Sequence, residues 1–221
     1  MTTINGYEIL PSADLSGADF SNQDLSGLDF HKCNLDGANL SNANCTGSSF
    51  EYTSMVGANL TSTNFTQSYF READLQGCTL EGTDFTDSYL LKTNLDGVFA
   101  NSVDFTRCNV RQGINNGMTI KNCIVTDLTF TNSELLSLQV EGQDLRHINF
   151  DRSRLTGAQF VNCILTRASF LSCDLNGANF SLSTLRDIDF SGSIFNFGSL
   201  RESIMSNVDL SQFDSYRGLS L

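Results

Sequence analysis

Side chains able to do chemistry are few in this 221-residue chain, and their spacing limits what they can do. Seven cysteines, Cys33, Cys45, Cys78, Cys108, Cys123, Cys163 and Cys173, are the first candidates for a metal centre or a disulfide framework. A structural zinc site draws on C-x-x-C pairs or on Cys and His at zinc-ligand spacing, and the chain has neither. Its two histidines, His31 and His147, stand 116 residues apart. A Ser-His-Asp reading exists in any serine-rich chain, but such a triad needs a pocket and an oriented base. Carboxylates recur 20 residues apart, as Asp84 with Asp104 and Asp189 with Asp209. Stacked, they form the kind of pair that glycoside hydrolysis uses, or a weak cation site, or a merely repulsive surface pair. The 17 glycines offer no phosphate loop, which takes a G-x-G-x-x-G pattern between a strand and a helix. The expectation is therefore no catalytic, cofactor-binding or metal-binding residue.

The elements that must position these residues follow a period of five. Of the 40 residues found at every fifth place from Leu15 to Leu210, 37 are Leu, Phe, Ile, Val or Met, the exceptions being Cys45, Ala100 and Asn115. Two places earlier a small residue recurs, as in Ala13, Ala18, Cys33, Ala38 and Ala58. Neither the helical period of 3.6 nor the strand alternation of 2 carries such a pattern. A chain that turns a corner every five residues does, with both special positions inside. Thirteen of the 17 glycines fall two places after the large residue, at the corner, where tight backbone geometry is needed. Six cysteines take the small inward position and Cys45 the large one, so every thiol is expected to be buried as a small hydrophobe. Reduced, buried thiols fit a cytoplasmic compartment.

The motif A(D/N)LXX, written ADLSG at 13–17, ADFSN at 18–22, ANLSN at 38–42 and ANFSL at 178–182, resembles the pentapeptide repeat family over nearly the whole chain. The resemblance implies an all-β fold, a right-handed quadrilateral β-helix, in which four five-residue sides close a coil of 20 residues. On that reading residues 13–212 form about ten coils, residues 1–12 an N-terminal cap and residues 213–221 a C-terminal tail or cap. Each coil then covers the next, and stability is close to a nearest-neighbour sum.

Positions 20 apart should stack, and the columns sort accordingly. Phe30, Phe50 and Phe70 form one run and Phe130, Phe150, Phe170 and Phe190 another, while Leu15, Leu35, Leu75 and Leu95 share a separate column. Outside, Thr46, Thr66, Thr86, Thr106 and Thr126 align, and Asp87, Arg107, Asp127, His147, Arg167 and Asp187 make a column of largely compensating charge. Such cross-strand pairs contribute roughly 0.2–1 kcal/mol each.

Composition narrows the function classes. No apolar run approaches a membrane span, and MTTINGYEIL lacks the flanks of a secretory signal, so a soluble protein is expected. A net charge of −12 argues against direct nucleic-acid binding, which needs cations to replace phosphate counterions. The acid is uneven: residues 1–105 carry 14 acids against Lys32, Arg71 and Lys92, and residues 106–221 carry 11 acids against 10 bases.

Departures from the repeat mark candidate contacts. Asn115 at a core position after Gly113, with Ala100 underfilling the preceding coil, predicts a bulge near 112–118, ringed by the cations Arg107, Arg111 and Lys121. Tyr69 and Tyr89, with Leu91 beside them, form an outward aromatic patch. In the last coils Leu171, Leu182, Ile194, Phe197 and Ile204 point outward, and the tail adds Phe213 and Tyr216; these residues either cap the open end or pair two molecules. Ile4, Tyr7, Ile9 and Leu10 should cap the first coil.

A straight rod with flat faces and no cleft is expected to be a non-enzymatic scaffold for a protein partner, as a monomer or a C-terminally paired homodimer. The resemblance adds one specific possibility, because the best-described family members bind DNA gyrase, mimic duplex DNA and protect the enzyme from quinolones. A purely structural spacer and a hydrolase using the stacked carboxylates are the remaining alternatives.

Overall fold

The computed structural model describes residues 2–221. From Leu15 to Leu200 every fifth residue is buried, Cys45, Ala100 and Asn115 included. Between these inward residues the chain makes short parallel bridges: Asp14, Asp19, Asp24 and Asp29 pair with Asn34, Asn39, Asn44 and Ser49, each 20 residues on. Four ladders therefore run along the molecule, one per side, and the fold is a β-helix whose pitch is set by strand pairing. Where the bridges lengthen into strands they give a parallel sheet of β3 (Phe99–Asn101), β4 (Thr119–Lys121), β5 (Gln139–Glu141) and β6 (Gln159–Val161). β7 (Thr184–Arg186) and β8 (Ile204–Ser206) pair further along. An antiparallel hairpin of β1 (Thr2–Ile4) and β2 (Tyr7–Ile9) closes the N-terminal end, where Ile9 is buried and the Tyr7 ring sits 5.4 Å from Phe20. Leu10 stays exposed beside this cap.

The outward residues of the motif shape the corners. Asp14, Asp19 and Asp24 accept hydrogen bonds from the amides of Ser16, Ser21 and Ser26, and Asn34 and Asn39 do the same two residues ahead. These local bonds hold the turn. The corner residue itself is left-handed whether it is Gly17 (φ 65°), Asn22 (φ 58°) or Lys32 (φ 59°), so glycine marks the corner without being obligatory there. Side-chain amides then climb from coil to coil, as Asn39 Nδ2 donates to Asp19 and Asn59 Nδ2 to Asn39.

Inside, the phenylalanine columns stack as expected. Phe30 and Phe50 lie 4.9 Å apart and nearly parallel, Phe50 and Phe70 5.1 Å, Phe130 and Phe150 5.6 Å, and Phe150 and Phe170 5.2 Å. Rings of neighbouring sides meet edge to face, as at Phe65 and Phe70. Serine and threonine at the small inward position solve the problem of a buried hydroxyl with one repeated bond: from Ser48 to Ser193 each donates to the carbonyl 23 residues earlier, as Ser48 to Leu25, Thr53 to Phe30 and Thr93 to Phe70. Cys78 and Cys173 make the same contact to Met55 and Phe150, so the thiols act as weak donors within the wall.

Five expectations need correction. Cys123 is only half-buried, unlike the other six cysteines, because it borders an opening in the wall. Met205, at an inward position by period, is exposed, since no regular coil follows to cover it. Asp209 leaves the ladder that carries Asp189; it caps a 3-10 turn, Leu210–Gln212, accepting from the Ser211 amide and hydroxyl, so the Asp189–Asp209 stack does not form. Asn115 causes no bulge at 112–118, for Ile114 bridges both Asn94 and Glu134 in register. Gly113 makes the room: a Cβ there would sit 2.8 Å from the Thr93 carbonyl and 3.0 Å from Asn115 Nδ2. Finally, the faces are not all flat. Grooves of about 620 Å³ and 390 Å³ lie along residues 119–127 and 139–147.

Those grooves coincide with a change in how the interior is filled. Met118, Leu128, Leu138, Gln143 and Ile148 put bulk at the small inward position, while Ala100, Val110, Val125 and Val140 reduce it at the large one. All but Gln143 are apolar, and apolar volume trades across facing positions at modest cost.

Candidate interaction surfaces

The first surface grows from one ladder on one side of the coil. Ser49, Tyr69, Tyr89 and Asn109 are successive members of one ladder, which puts the two tyrosines directly above one another. Their rings lie 5.3 Å apart and are parallel within 4°, with 46% and 51% of each residue exposed. Stacking thus fixes two large amphipathic rings on a rigid wall at little entropic cost. Glu51, Arg71, Leu91, Asn109 and Arg111 line a shallow groove beside them, of about 160 Å³. Arg111 Nε is held at 2.8 Å by Asn109 Oδ1. Arg71 donates to the Tyr52 hydroxyl and lies 5.0 Å from that ring's centroid, a cation–π contact that Lys32 repeats at 5.9 Å. His31 completes the cluster, edge-on to Tyr52 at 5.3 Å. Tyr52, Arg71, Lys32 and His31 were not singled out as contacts by the sequence pattern. The 20-residue register alone places His31, Glu51, Arg71, Leu91 and Arg111 in one column, and that signal was available.

The expected cation ring does not assemble. Arg107 is engaged with Asp87, Nε to Oδ1 at 2.6 Å and the second nitrogen to Oδ2 at 2.7 Å, a pairing that holds the Asp87 carboxyl below the usual range. Arg111 belongs to the tyrosine groove, and Lys121 lines the large groove with Gln139 and Glu141. Lys121 lies 10 residues from Arg111, half of the 20-residue register, so the coil carries the two to different sides.

At the C-terminal end the tail rejoins the helix with one extra residue, since Ile194 bridges Ser215 and Ser199 bridges Ser220, 21 on. Phe213 is buried, 4.8 Å from Phe190 and 5.4 Å from Phe195. It belongs to the plug and is not available as a docking residue. Leu171 is half-buried. Leu182, Ile194, Ile204 and Tyr216 remain exposed, and Phe197 most of all, at 76%. Gly198 is required next to it, for a Cβ there would fall 1.8 Å from the Phe195 ring.

Asp84 and Asp104 do bridge, yet each carboxylate is committed to its own corner, accepting from the Thr86 and Thr106 amides at 2.8 Å. Among the described residues no group of three or more His, Cys, Asp or Glu is arranged to hold a metal ion, and no helix is long and apolar enough to cross a membrane.

A family model for pentapeptide repeats matches residues 12–42, 29–67, 38–77, 68–112, 139–171 and 173–212, in 8 copies. Among curated protein sequences none matches the chain. Of solved structures, HetL, a pentapeptide repeat protein involved in heterocyst differentiation regulation from the cyanobacterium Nostoc sp. strain PCC 7120, aligns with a TM-score of 0.54 and 22% identity, over 88% of this chain and 87% of HetL. Trypsin-treated QnrB1, a plasmid-mediated fluoroquinolone resistance protein, aligns over 95% of this chain and 91% of its own, with 16% identity and a TM-score of 0.38. A pentapeptide repeat protein from the Arabidopsis thaliana thylakoid lumen shares 31% identity over 39% of this chain and 68% of its own, with a TM-score of 0.26. With the period of five, the four ladders and a family model that matches most of its length, the chain belongs to the pentapeptide repeat family.

Proposed function

We propose that the chain is a non-enzymatic scaffold, a right-handed quadrilateral rod of about ten coils spanning 13–212 between caps at 1–12 and 213–221, that docks a protein partner on its tyrosine face. The observation that carries this is the Tyr69–Tyr89 stack, half-exposed and set beside Leu91, Arg71 and Arg111. Rigid aromatic rings with flanking arginines are the composition of interface hot spots. The partner this chemistry fits carries an apolar knob bordered by carboxylates. The seven cysteines are free, which suits a cytoplasmic setting. Exposed Leu182, Phe197 and Ile204 support pairing of two copies at the C-terminal end, alongside a monomeric alternative.

The test is affinity capture from cell lysate with the intact chain and with Tyr69→Ala/Tyr89→Ala. Reproducible enrichment of one protein that the double variant loses, at unchanged melting temperature, supports the scaffold; capture that is indifferent to the substitutions removes the tyrosine face. Phe197→Glu in light scattering tests the pairing, and a monomeric mass for both proteins ends it.

A second reading, mimicry of duplex DNA toward gyrase, draws on the acidic N-terminal half. Asp14, Asp19 and Asp24 are ionised more readily than usual because the Ser16, Ser21 and Ser26 side chains and amides donate to them. A supercoiling assay with and without a quinolone decides it: neither rescue nor inhibition at micromolar protein rejects the gyrase reading.

A further inference from the structure

The ladder between coils is interrupted along one side. Below the interruption Phe105 and Arg107 donate to Ile124 and Thr126 at 2.7 and 2.8 Å, and above it Leu145 and His147 donate to Ile164 and Thr166 at 2.8 and 3.1 Å. Between 121–127 and 141–147 the equivalent bonds are missing: the amides of Asn122, Val125 and Asp127 do not reach Glu141, Asp144 and Arg146, nor does that of Asp144 reach Cys123. Ile124 bridges down to Asp104 and Asp144 bridges up to Ile164, but the two do not bridge each other. Pairing of β4 with β5 stops at Ile120 and Val140, whereas β3 with β4 and β5 with β6 each continue one residue further. The grooves of about 620 Å³ and 390 Å³ border this opening.

Gln143 holds it open. It occupies a small inward position, flanked in its column by Thr83, Val103 and Cys123 on one side and by Cys163 and Ser183 on the other. Its side chain is longer than any of these and lodges between the coils, with Oε1 accepting from the Cys123 amide at 3.0 Å.

We propose that this seam accepts an extended peptide segment of a partner protein as an added parallel strand. The two facing edges each present alternating N–H and C=O groups, and a peptide backbone is the ligand chemistry that satisfies both edges at once. One side of the coil is five residues, about 17 Å at 3.3 Å per residue, so a five-residue segment spans it. Its central side chain packs on Val125, which lines the groove, and is apolar. Its flanking residues are uncharged, because the rim carries both signs, Lys121 and Arg146 against Asp127, Glu141 and Asp144, with Arg146 already paired to Asp144, and Asn122, Gln139 and Gln159 supply amides. This contact lies apart from the tyrosine face and stands or falls without it.

The experiment uses the full chain and end-blocked, labelled probes Ser-Thr-X-Thr-Ser with X as Leu, Ile, Val or Phe, followed by fluorescence polarisation and amide hydrogen exchange. Without probe, the amides of Asn122, Val125, Asp127 and Asp144 should exchange faster than those of Phe105 and Leu145. At least one probe should bind and slow them, and its analogue N-methylated at X should bind about tenfold or more weakly, a difference of about 1.4 kcal/mol. Gln143→Ser should close the seam, protecting the same amides without probe and weakening probe binding to a similar extent; if that variant does not fold, the N-methyl comparison on the unaltered chain decides. Equal protection of all six amides without probe, no probe protecting the seam at millimolar concentration, or equal binding of the N-methylated analogue overturns the proposal. So does a doubled mass in light scattering that protects the seam amides without probe, which assigns the seam to a second copy.

Discussion

Residues 14–110 and residues 113–148 share one register and differ in where they put their bulk. In the first stretch large rings and leucines fill the fifth positions apart from Cys45, Met55, Ala100 and Val110, and Ala, Ser, Thr or Cys occupy most small positions. In the second, Met118, Leu128, Leu138 and Ile148 carry volume at the small position, and Val125 and Val140 give it up at the large one. Aromatic stacking follows the same division, running from Phe30 to Phe70 and from Phe65 to Phe105, then resuming only at Phe130. The family model also lapses between 112 and 139. The coil tolerates the exchange of apolar volume, since Asn94, Ile114 and Glu134 stay in register through it. What it does not absorb is Gln143, whose polar end must reach a backbone donor and so spreads two coils. A repeat is thus robust to where bulk sits and sensitive to a long side chain that has to be satisfied.

The comparison breaks most visibly in the aromatic columns. Phe150→Asp buries an unpaired carboxylate between Phe130 and Phe170 and should cost about 4 kcal/mol or more, where Thr86→Ala on the outer face should change stability by about 0.5 kcal/mol or less. Urea melts of the two variants check this; equal losses would contradict the inside and outside assignment.

Alkaline pH is the next lever. Burial pushes the Cys78 and Cys173 thiols from 9.0 up to about 12 and Cys163 to about 11. The folded pKa values are raised, so the stability tied to neutral thiols is complete below pH 9 and is lost as pH climbs through 11 to 12. Thermal melts should fall from about pH 9 upward. A Cys78→Ser/Cys163→Ser/Cys173→Ser variant should show a flatter decline, because serine already fills this position elsewhere with the same carbonyl contact, as at Ser48.

Two smaller substitutions sharpen the contrast inside the irregular stretch. Gly113→Ala forces a methyl against the Thr93 carbonyl and the Asn115 amide and should cost about 1–3 kcal/mol. Asn115→Leu removes a fully buried amide whose Oδ1 and Nδ2 have no hydrogen-bond partner, and should raise stability by about 1 kcal/mol. A loss in the second case would mean that the Asn115 amide is satisfied in solution.

Much of this was legible in the residues. The buried set, the phenylalanine columns and the Tyr69–Tyr89 stack all follow from counting fives and twenties. The same count separates Arg111 from Lys121 by half a coil, although their nearness in sequence suggested one patch. Asn115 misled because its polarity was visible and its compensation was not: Gly113 was read as part of the irregularity when it is the space that accommodates the amide. Of the two roles left open for Phe213 it takes the capping one, because one residue inserted at Leu210–Gln212 shifts the tail's register and turns that ring inward.

The amino-acid order by itself determined which residues face the axis, because one large and one small side chain recur every five residues, a period that neither a helix nor a strand carries. Tertiary structure decided whether each coil closes on the next. That outcome depends on the summed volume and polarity of side chains 20 residues apart, which meet only once the coils are stacked. At Ser48 the meeting satisfies a hydroxyl. At Gln143 it keeps two coils apart.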